Sequence, residues 1–258
     1  MTNYSHIKLS DHFYPQSTYP PGLVAYYKGT ELSGALIDTL GNFDLPIIGS
    51  GTVGGDGITR GTFCGNNTTD NPNPSAFGLL DSTKSLALLD TNVHTSFMYE
   101  VVVTVPTIPN ILYSEVLLRL PRALYLTMTY WTAVNFCFSF NKSSGYTPVI
   151  PATANLTTGT YYVTIVCLGT GTNELAVYIN KTQSYLGTFV ASTNDLNCLS
   201  IGDAYASSSP NKPTLGIYDA RIKEIAIHNS IASFEAAEAL MAKRMTTADA
   251  SAIISYPV

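Results

Sequence analysis

An all-β fold, two antiparallel sheets forming a sandwich with one short C-terminal helix, is what this sequence predicts. Three observations carry the prediction. Many short apolar runs follow one another, each bounded by Gly, Pro, Asn or Asp, a spacing that suits antiparallel strands rather than alternating βα units. The longest runs alternate with period two. Near the C-terminus, in GIYDARIKEIAIHNSIASFEAAEALM (216–241), the period changes from that of a strand to that of a helix.

Along the chain the predicted strands are GLVAYY (22–27), LPII (45–48), SLALL (85–89), TSFMYEVVVTV (95–105), ILYSEVLLRL (111–120), ALYLTMTYW (123–131), VNFCFSF (134–140), TYYVTIVCL (160–168), ELAVYIN (174–180), YLGTFVA (185–191) and CLSIG (198–202). In TSFMYEVVVTV, Phe97, Tyr99, Val101, Val103 and Val105 share one face, and Ser96, Glu100 and Thr104 lie opposite, which reads as a half-buried strand. In the last strand, 215–228, Ala220, Ile222, Glu224 and Ala226 fall on one side and Arg221, Lys223, Ile225 and Ile227 on the other. Asn229 and Ser230 turn the chain. Ser233 is expected to cap a helix of about three turns, whose Phe234, Ala237 and Leu240 seal an open end or edge of the sheets.

Residues 1–21 form an arm without period that ends in TYPPG, where Pro20 and Pro21 stop regular pairing. No linker divides residues 22–245, so one domain is expected there, followed by a tail at 246–258. Charged residues are 12% of the chain, about half the usual share, and the net charge is −5 without a basic run. That balance argues against a nucleic-acid partner. No apolar window reaches the roughly 20 residues that span a bilayer, so membrane insertion is not expected, and the N-terminus does not read as a signal peptide. Cys64, Cys137, Cys167 and Cys198 form no CxxC pair; buried free thiols are expected, with a disulfide as the alternative.

Four landmarks in order resemble the laminin-G-like, concanavalin A-like lectin/glucanase jelly roll. GLVAYY followed by DTLGN (38–42) is similar to the family's opening strand and Asp-x-x-Gly-Asn turn. TTGTYYVTIVCLGTGTNELAVYIN (157–180) is similar to its paired central strands, LSIGD (199–203) to the next strand, and IKEIAIHNSIASFEAAEAL (222–240) to the closing strand, turn and helix. Tyr161 stands where the family commonly has Trp, Lys181 where it has the Gly of an Asn-Gly turn, and Lys223 where the closing strand commonly has Asp. The resemblance implies a two-sheet jelly-roll sandwich. It does not fix a function, because this scaffold hosts lectins, adhesion modules, hydrolases and virion proteins.

Glycoside hydrolysis needs two carboxylates flanking the scissile bond. The Glu-x-Asp-x-x-Glu strand of the superfamily's retaining glucanases is absent, and Glu100 and Glu115 read as solvated or salt-bridged acids on an outer face, Glu115 with Arg119 four residues on, on the same strand face. Gly49 to Gly54 spells GxGxxG, but no helix pattern follows to receive a pyrophosphate, so a β turn is expected. His6, His12, His94 and His228 show no metal-ligand spacing, and no cofactor is expected. The four cysteines do not read as a zinc site. A calcium ion would take Asp195 and Asp203, against the reading that both are turn residues.

The candidate ligand face is ALYLTMTYW. Leu124, Leu126, Met128 and Tyr130 form an inward side, which leaves Tyr125, Thr127, Thr129 and Trp131 opposite. Aromatic plates beside hydroxyls suit a sugar, whose C–H face stacks while its hydroxyls hydrogen-bond. The alternative is that Trp131 packs in a second hydrophobic layer. Asp203 and Tyr205, in the Ser- and Asn-rich loop 202–214, form a second candidate rim. Together these features lead to the expectation of a non-enzymatic structural or adhesion protein displayed on a virus or phage particle, or otherwise extracellular. It would join other subunits through its arm and meet surface glycans with the sandwich. The alternative is a free-standing lectin module.

Overall fold

The structure is a computed structural model. It describes residues 19–28, 36–42, 44–45, 51–54, 57–60, 96–105, 113–120, 124–132, 135–142, 158–169, 171–189, 200–201 and 221–243. Among these residues the fold is an all-β sandwich with one short helix, built from two antiparallel sheets. The larger sheet holds β1 (Leu23–Tyr27), β2 (Gly51–Gly54), β3 (Gly57–Arg60), β4 (Phe97–Val105), β8 (Gly159–Cys167), β9 (Gly171–Ile179), β10 (Thr182–Phe189) and β12 (Arg221–His228). Its order is β10-β9-β8-β4-β12-β3-β2, and β1 also pairs with β12. The smaller sheet runs β11 (Ser200–Ile201), β5 (Tyr113–Leu120), β6 (Leu124–Thr132), β7 (Asn135–Lys142).

Central strands of the larger sheet are buried on both faces. Ile225 pairs with Val101, Ile227 with Tyr99, and Tyr99 in turn with Ile165; every one of these side chains is fully buried or nearly so. The other face carries Met98, Val102, Tyr162, Val166, Ala176, Tyr178 and Ala226 in one apolar cluster with Leu23 and Tyr26 of β1. That second face is covered by helix α1 (Phe234–Ala242), which inserts Ala237 and Met241 and lays Phe234 and Leu240 against the cluster. The helix therefore lies on a sheet face, where an end or edge of the sheets was expected. The reason is that Met98, Val102 and Ala226 make the second face apolar, and an apolar face has to be covered. Ser233 caps the helix as expected, its Oγ accepting from the Ala236 N–H at 3.1 Å.

DTLGN forms a turn stitched to β1. Asp38 is buried and its carboxylate accepts backbone N–H groups from Tyr26 (2.8 Å), Leu40 (3.1 Å) and Asn42 (2.9 Å). Asn42 donates its amide to the Val24 carbonyl at 2.9 Å, and Gly41 takes the left-handed φ of 77° that the turn requires. The GxGxxG stretch supplies β2, paired with β3 in the register Gly54↔Gly57, so it is a strand followed by a strand. Cys167 is a buried free thiol; Cys64 and Cys198 lie outside the described residues.

A bulge overturns the expected faces of β12. Ile222 pairs with Val103 but Glu224 pairs with Val102, so Lys223 is an extra residue and the alternation reverses there. Ile222 consequently joins Ile225 and Ile227 on one face, and Glu224 shares the helix-covered face with Ala226 and His228.

Candidate functional site

The candidate ligand face lies in the middle of the smaller sheet, because β6 pairs with β5 on one side and β7 on the other. Leu126 is fully buried and fixes one face as the core side; it pairs with Leu118 and Phe140. On the opposite face the register makes three rows across neighbouring strands. Tyr125 lies between Arg119 and Asn141, with Ser200 beyond Arg119; Thr127 lies between Val116 and Ser139; Thr129 lies between Ser114 and Cys137. Trp131 sits at a bulge, since the β7 register steps from Tyr130↔Phe136 to Thr132↔Asn135. Bulges of this kind occur where a strand end is re-aimed beside functional sites. The structure thus brings Tyr125, Thr127 and Thr129 together on one face with Trp131 at its end. Asp203 and Tyr205 lie outside the described residues, as does Asp195.

Glu115 and Arg119 do not share a face. Between Val116↔Thr127 and Leu118↔Leu126 the register slips by one, leaving Leu117 as the extra residue. Glu115 is therefore placed opposite Met128, on the face of Leu126, and Arg119 opposite Tyr125, on the other.

A second polar cluster, which sequence reasoning missed, lies under helix α1. Glu100 was expected as a solvated or salt-bridged acid on an outer face, yet its side chain is 0% exposed, as is that of His228. Glu100 accepts a hydrogen bond from the Tyr162 hydroxyl and lies 2.8 Å from His228 Nε2. One strand pairing away, Glu224 accepts from the Tyr26 hydroxyl at 3.0 Å, and Lys28 sits over the Tyr26 ring at 5.7 Å from its centroid. Burial pushes the Glu224 carboxyl up to about 8; the Tyr26 hydrogen bond and the Lys28 charge oppose that rise, and the Glu100 charge adds to it. Burial also raises the Tyr27 and Tyr178 hydroxyls, Tyr27 further through Asp38 and Asp44, and Tyr178 further through Glu238, to which it donates at 3.2 Å. A protonated carboxyl beside an acid–histidine pair has the ingredients of proton transfer. Both carboxyls are inside the core, Glu224 at 5% exposure, so their role here is to join β1, β12, β4 and β8 by polar contacts within an apolar layer. One signal was present in the sequence: Met98 and Val102 flank Glu100 on its own face.

Among the described residues no group of three or more His, Cys, Asp and Glu side chains could hold a metal ion. No helix there is long and apolar enough to cross a membrane.

A β-sandwich of this kind recurs in solved proteins. Trypanosoma rangeli sialidase in complex with sialic acid is similar over 88% of this chain, with a TM-score of 0.57 and 14% identity, and the match covers 34% of the sialidase. A botulinum neurotoxin type C structure, whose description ties cell entry to interaction with two ganglioside molecules, is similar over 86% of this chain and 51% of its own, with a TM-score of 0.55 and 8% identity. The binding domain of botulinum neurotoxin DC in complex with rat synaptotagmin II gives a TM-score of 0.52 at 11% identity, over 86% and 51% of the two chains. This chain therefore spans about a third of the sialidases and about half of the toxin structures. No protein-family model matches the chain, and no curated protein sequence does.

These likenesses carry the fold. They also correct the expectation of a non-enzymatic protein, because structures that share the sandwich include enzymes, the sialidases, at 13% and 14% identity. The missing Glu-x-Asp-x-x-Glu strand excluded one arrangement of catalytic carboxylates, not catalysis on this scaffold.

Proposed function

We propose that this chain is a glycan-binding sandwich of the concanavalin A-like, laminin-G-like jelly-roll type, displayed on the surface of a larger assembly such as a virus or phage particle. The observation that carries the reading is the placement of Tyr125, Thr127 and Thr129 side by side on the sheet face opposite the buried Leu126, with Trp131 bulged at its end. A mid-sheet face with threonines between a tyrosine and a tryptophan has the residue types for stacking on a sugar ring and hydrogen-bonding its hydroxyls. Support comes from the sialic acid and ganglioside descriptions of two structures that share the fold. The jelly-roll type draws support from the DTLGN turn on β1 and from the capped helix that follows the closing strand.

The arm is assigned to docking on neighbouring subunits, where many copies would turn weak glycan contacts into avidity. Its last residues already join the body: Tyr19 packs against the apolar cluster, and Leu23 donates its N–H to the Pro20 carbonyl at 3.3 Å.

A glycan array probed with the wild-type chain and with Trp131→Ala tests the binding claim. Retention of defined glycans by the wild type and at least tenfold weaker retention by the variant is expected; absence of retained glycans contradicts the reading. Deleting residues 1–18 and measuring particle size tests the display claim. An unchanged oligomeric state would leave a free-standing lectin.

A further inference from the structure

We propose that the sugar taken by the β6 face is anionic, carrying a carboxylate or sulfate, with Arg119 as its charge partner; this rests on the glycan-binding reading of that face. The register sets Ser200, Arg119, Tyr125 and Asn141 in one row across β11, β5, β6 and β7. Three inter-strand spacings of about 4.8 Å make that row roughly 14 Å long, which suits an oligosaccharide rather than a single small anion. The row holds a guanidinium, a phenol ring, a carboxamide and a hydroxyl. A guanidinium presents parallel N–H donors that match a carboxylate or sulfate. At the neighbouring register positions a tyrosine has the chemistry for a sugar's C–H face, and an asparagine and a serine have that for its remaining hydroxyls.

Two features make the charge argument specific. The bulge at Leu117 separates Glu115 from Arg119, and no Asp or Glu occupies a described position on the Arg119 face in any of the four strands. The other cation at a described position of this sheet is Lys142, which pairs with Leu124 and so belongs to the opposite face. The chain as a whole carries a net charge of −5, so its bulk charge repels anions and selectivity for one has to be local.

The test uses the full chain and four immobilised probes: a uronic- or sialic-acid-terminated oligosaccharide, its methyl ester, a sulfated oligosaccharide and the neutral parent. Wild type, Arg119→Gln, Arg119→Lys and Lys142→Gln are compared at low and physiological salt, with a thermal melt to establish that each is folded. The wild type is expected to hold at least one anionic probe ten or more times tighter than the ester and the neutral parent. Arg119→Gln should lose that preference, Arg119→Lys should keep part of it, and Lys142→Gln should keep all of it; which anionic probe is preferred separates carboxylate from sulfate. Equal binding of neutral and anionic probes overturns the anionic class while leaving the glycan face standing. Loss by Lys142→Gln as large as by Arg119→Gln overturns it too, since bulk charge would then be responsible. Binding of none of the probes overturns both the class and the face.

Discussion

His228 Nε2 on β12 lies 2.8 Å from Glu100 Oε2 on β4, and neither side chain reaches solvent. The two strands are paired in the larger sheet, with Met98, Val102 and Ala226 around the contact and helix α1 closing the layer. Removing either residue takes a buried polar contact from the other, while Glu100 keeps its hydrogen bond from the Tyr162 hydroxyl. Glu100→Ala or His228→Ala is expected to lose about 1–3 kcal/mol of stability through the lost buried hydrogen bond. Replacing both by leucine should cost less than either single change. Urea unfolding of the wild type, the two singles and the leucine double reads the difference, and the Glu100→Ala/His228→Ala double completes a mutant cycle for the coupling energy.

Glu224 gives stability a pH dependence of definite sign. Its carboxyl is held near 8 in the fold, against an ordinary value of 4.5. Between those values the folded chain keeps a proton that the unfolded chain releases, so stability falls as pH rises from about 4.5 to about 8. The contribution is whole below that window and gone above it. Melting temperatures across the window should fall for the wild type and stay flatter for Glu224→Gln; parallel profiles would remove Glu224 as the source.

Two backbone positions should respond in opposite directions. Gly22 has φ +84°, and a Cβ there would stand 2.7 Å from the Ser230 carbonyl oxygen, a backbone atom with little room to yield. Gly22→Ala is expected to cost roughly 2 kcal/mol or more. Lys181 takes φ +67° beside Asn180 at +50°, in the two-residue turn between β9 and β10, a conformation that glycine adopts without strain. Lys181→Gly should therefore stabilise by about 1 kcal/mol. Chemical denaturation of both variants checks the signs.

Helix α1 should be separable from the sheets by one core truncation. Met241 is buried against the second face of the larger sheet, and Met241→Ala is expected to cost about 2–5 kcal/mol. Lys243→Ala, at the exposed C-cap, should change stability by less than about 0.5 kcal/mol. Thermal melts of the pair show whether packing or helix propensity holds the helix.

Much of this fold was legible because its signals are local. Apolar runs between turn residues located β1 and β4 to β11, period two marked β4, β6 and β12, the Ser233 cap marked the helix start, and the spacing of Asp38, Gly41 and Asn42 marked a turn. The missed features depend on single inserted residues or on distant partners. Extra residues at Leu117 and Lys223 reverse the face of everything beyond them, which alternation alone cannot reveal. The Glu100–His228 contact joins residues 128 apart, and the Tyr26–Glu224 contact joins residues 198 apart. Neither has a local sequence signature. Gly-rich β2 read as a turn because glycine is a weak strand former, and its pairing with β3 decided otherwise. The β6 face was legible in its residue pattern; its neighbours Arg119, Asn141 and Ser200 became visible only through the register.

Trp131 is the chain's only tryptophan, so its fluorescence reports on the proposed face alone. The most direct test is to titrate the full chain with a glycan retained on the array, exciting at the red edge where tyrosine does not absorb. A saturable change in Trp131 emission, with the same midpoint as binding measured by calorimetry and with Tyr125→Ala shifting that midpoint at least tenfold, is the predicted result. Calorimetric binding with unchanged Trp131 emission and an unshifted Tyr125→Ala midpoint would place the glycan elsewhere and contradict the account.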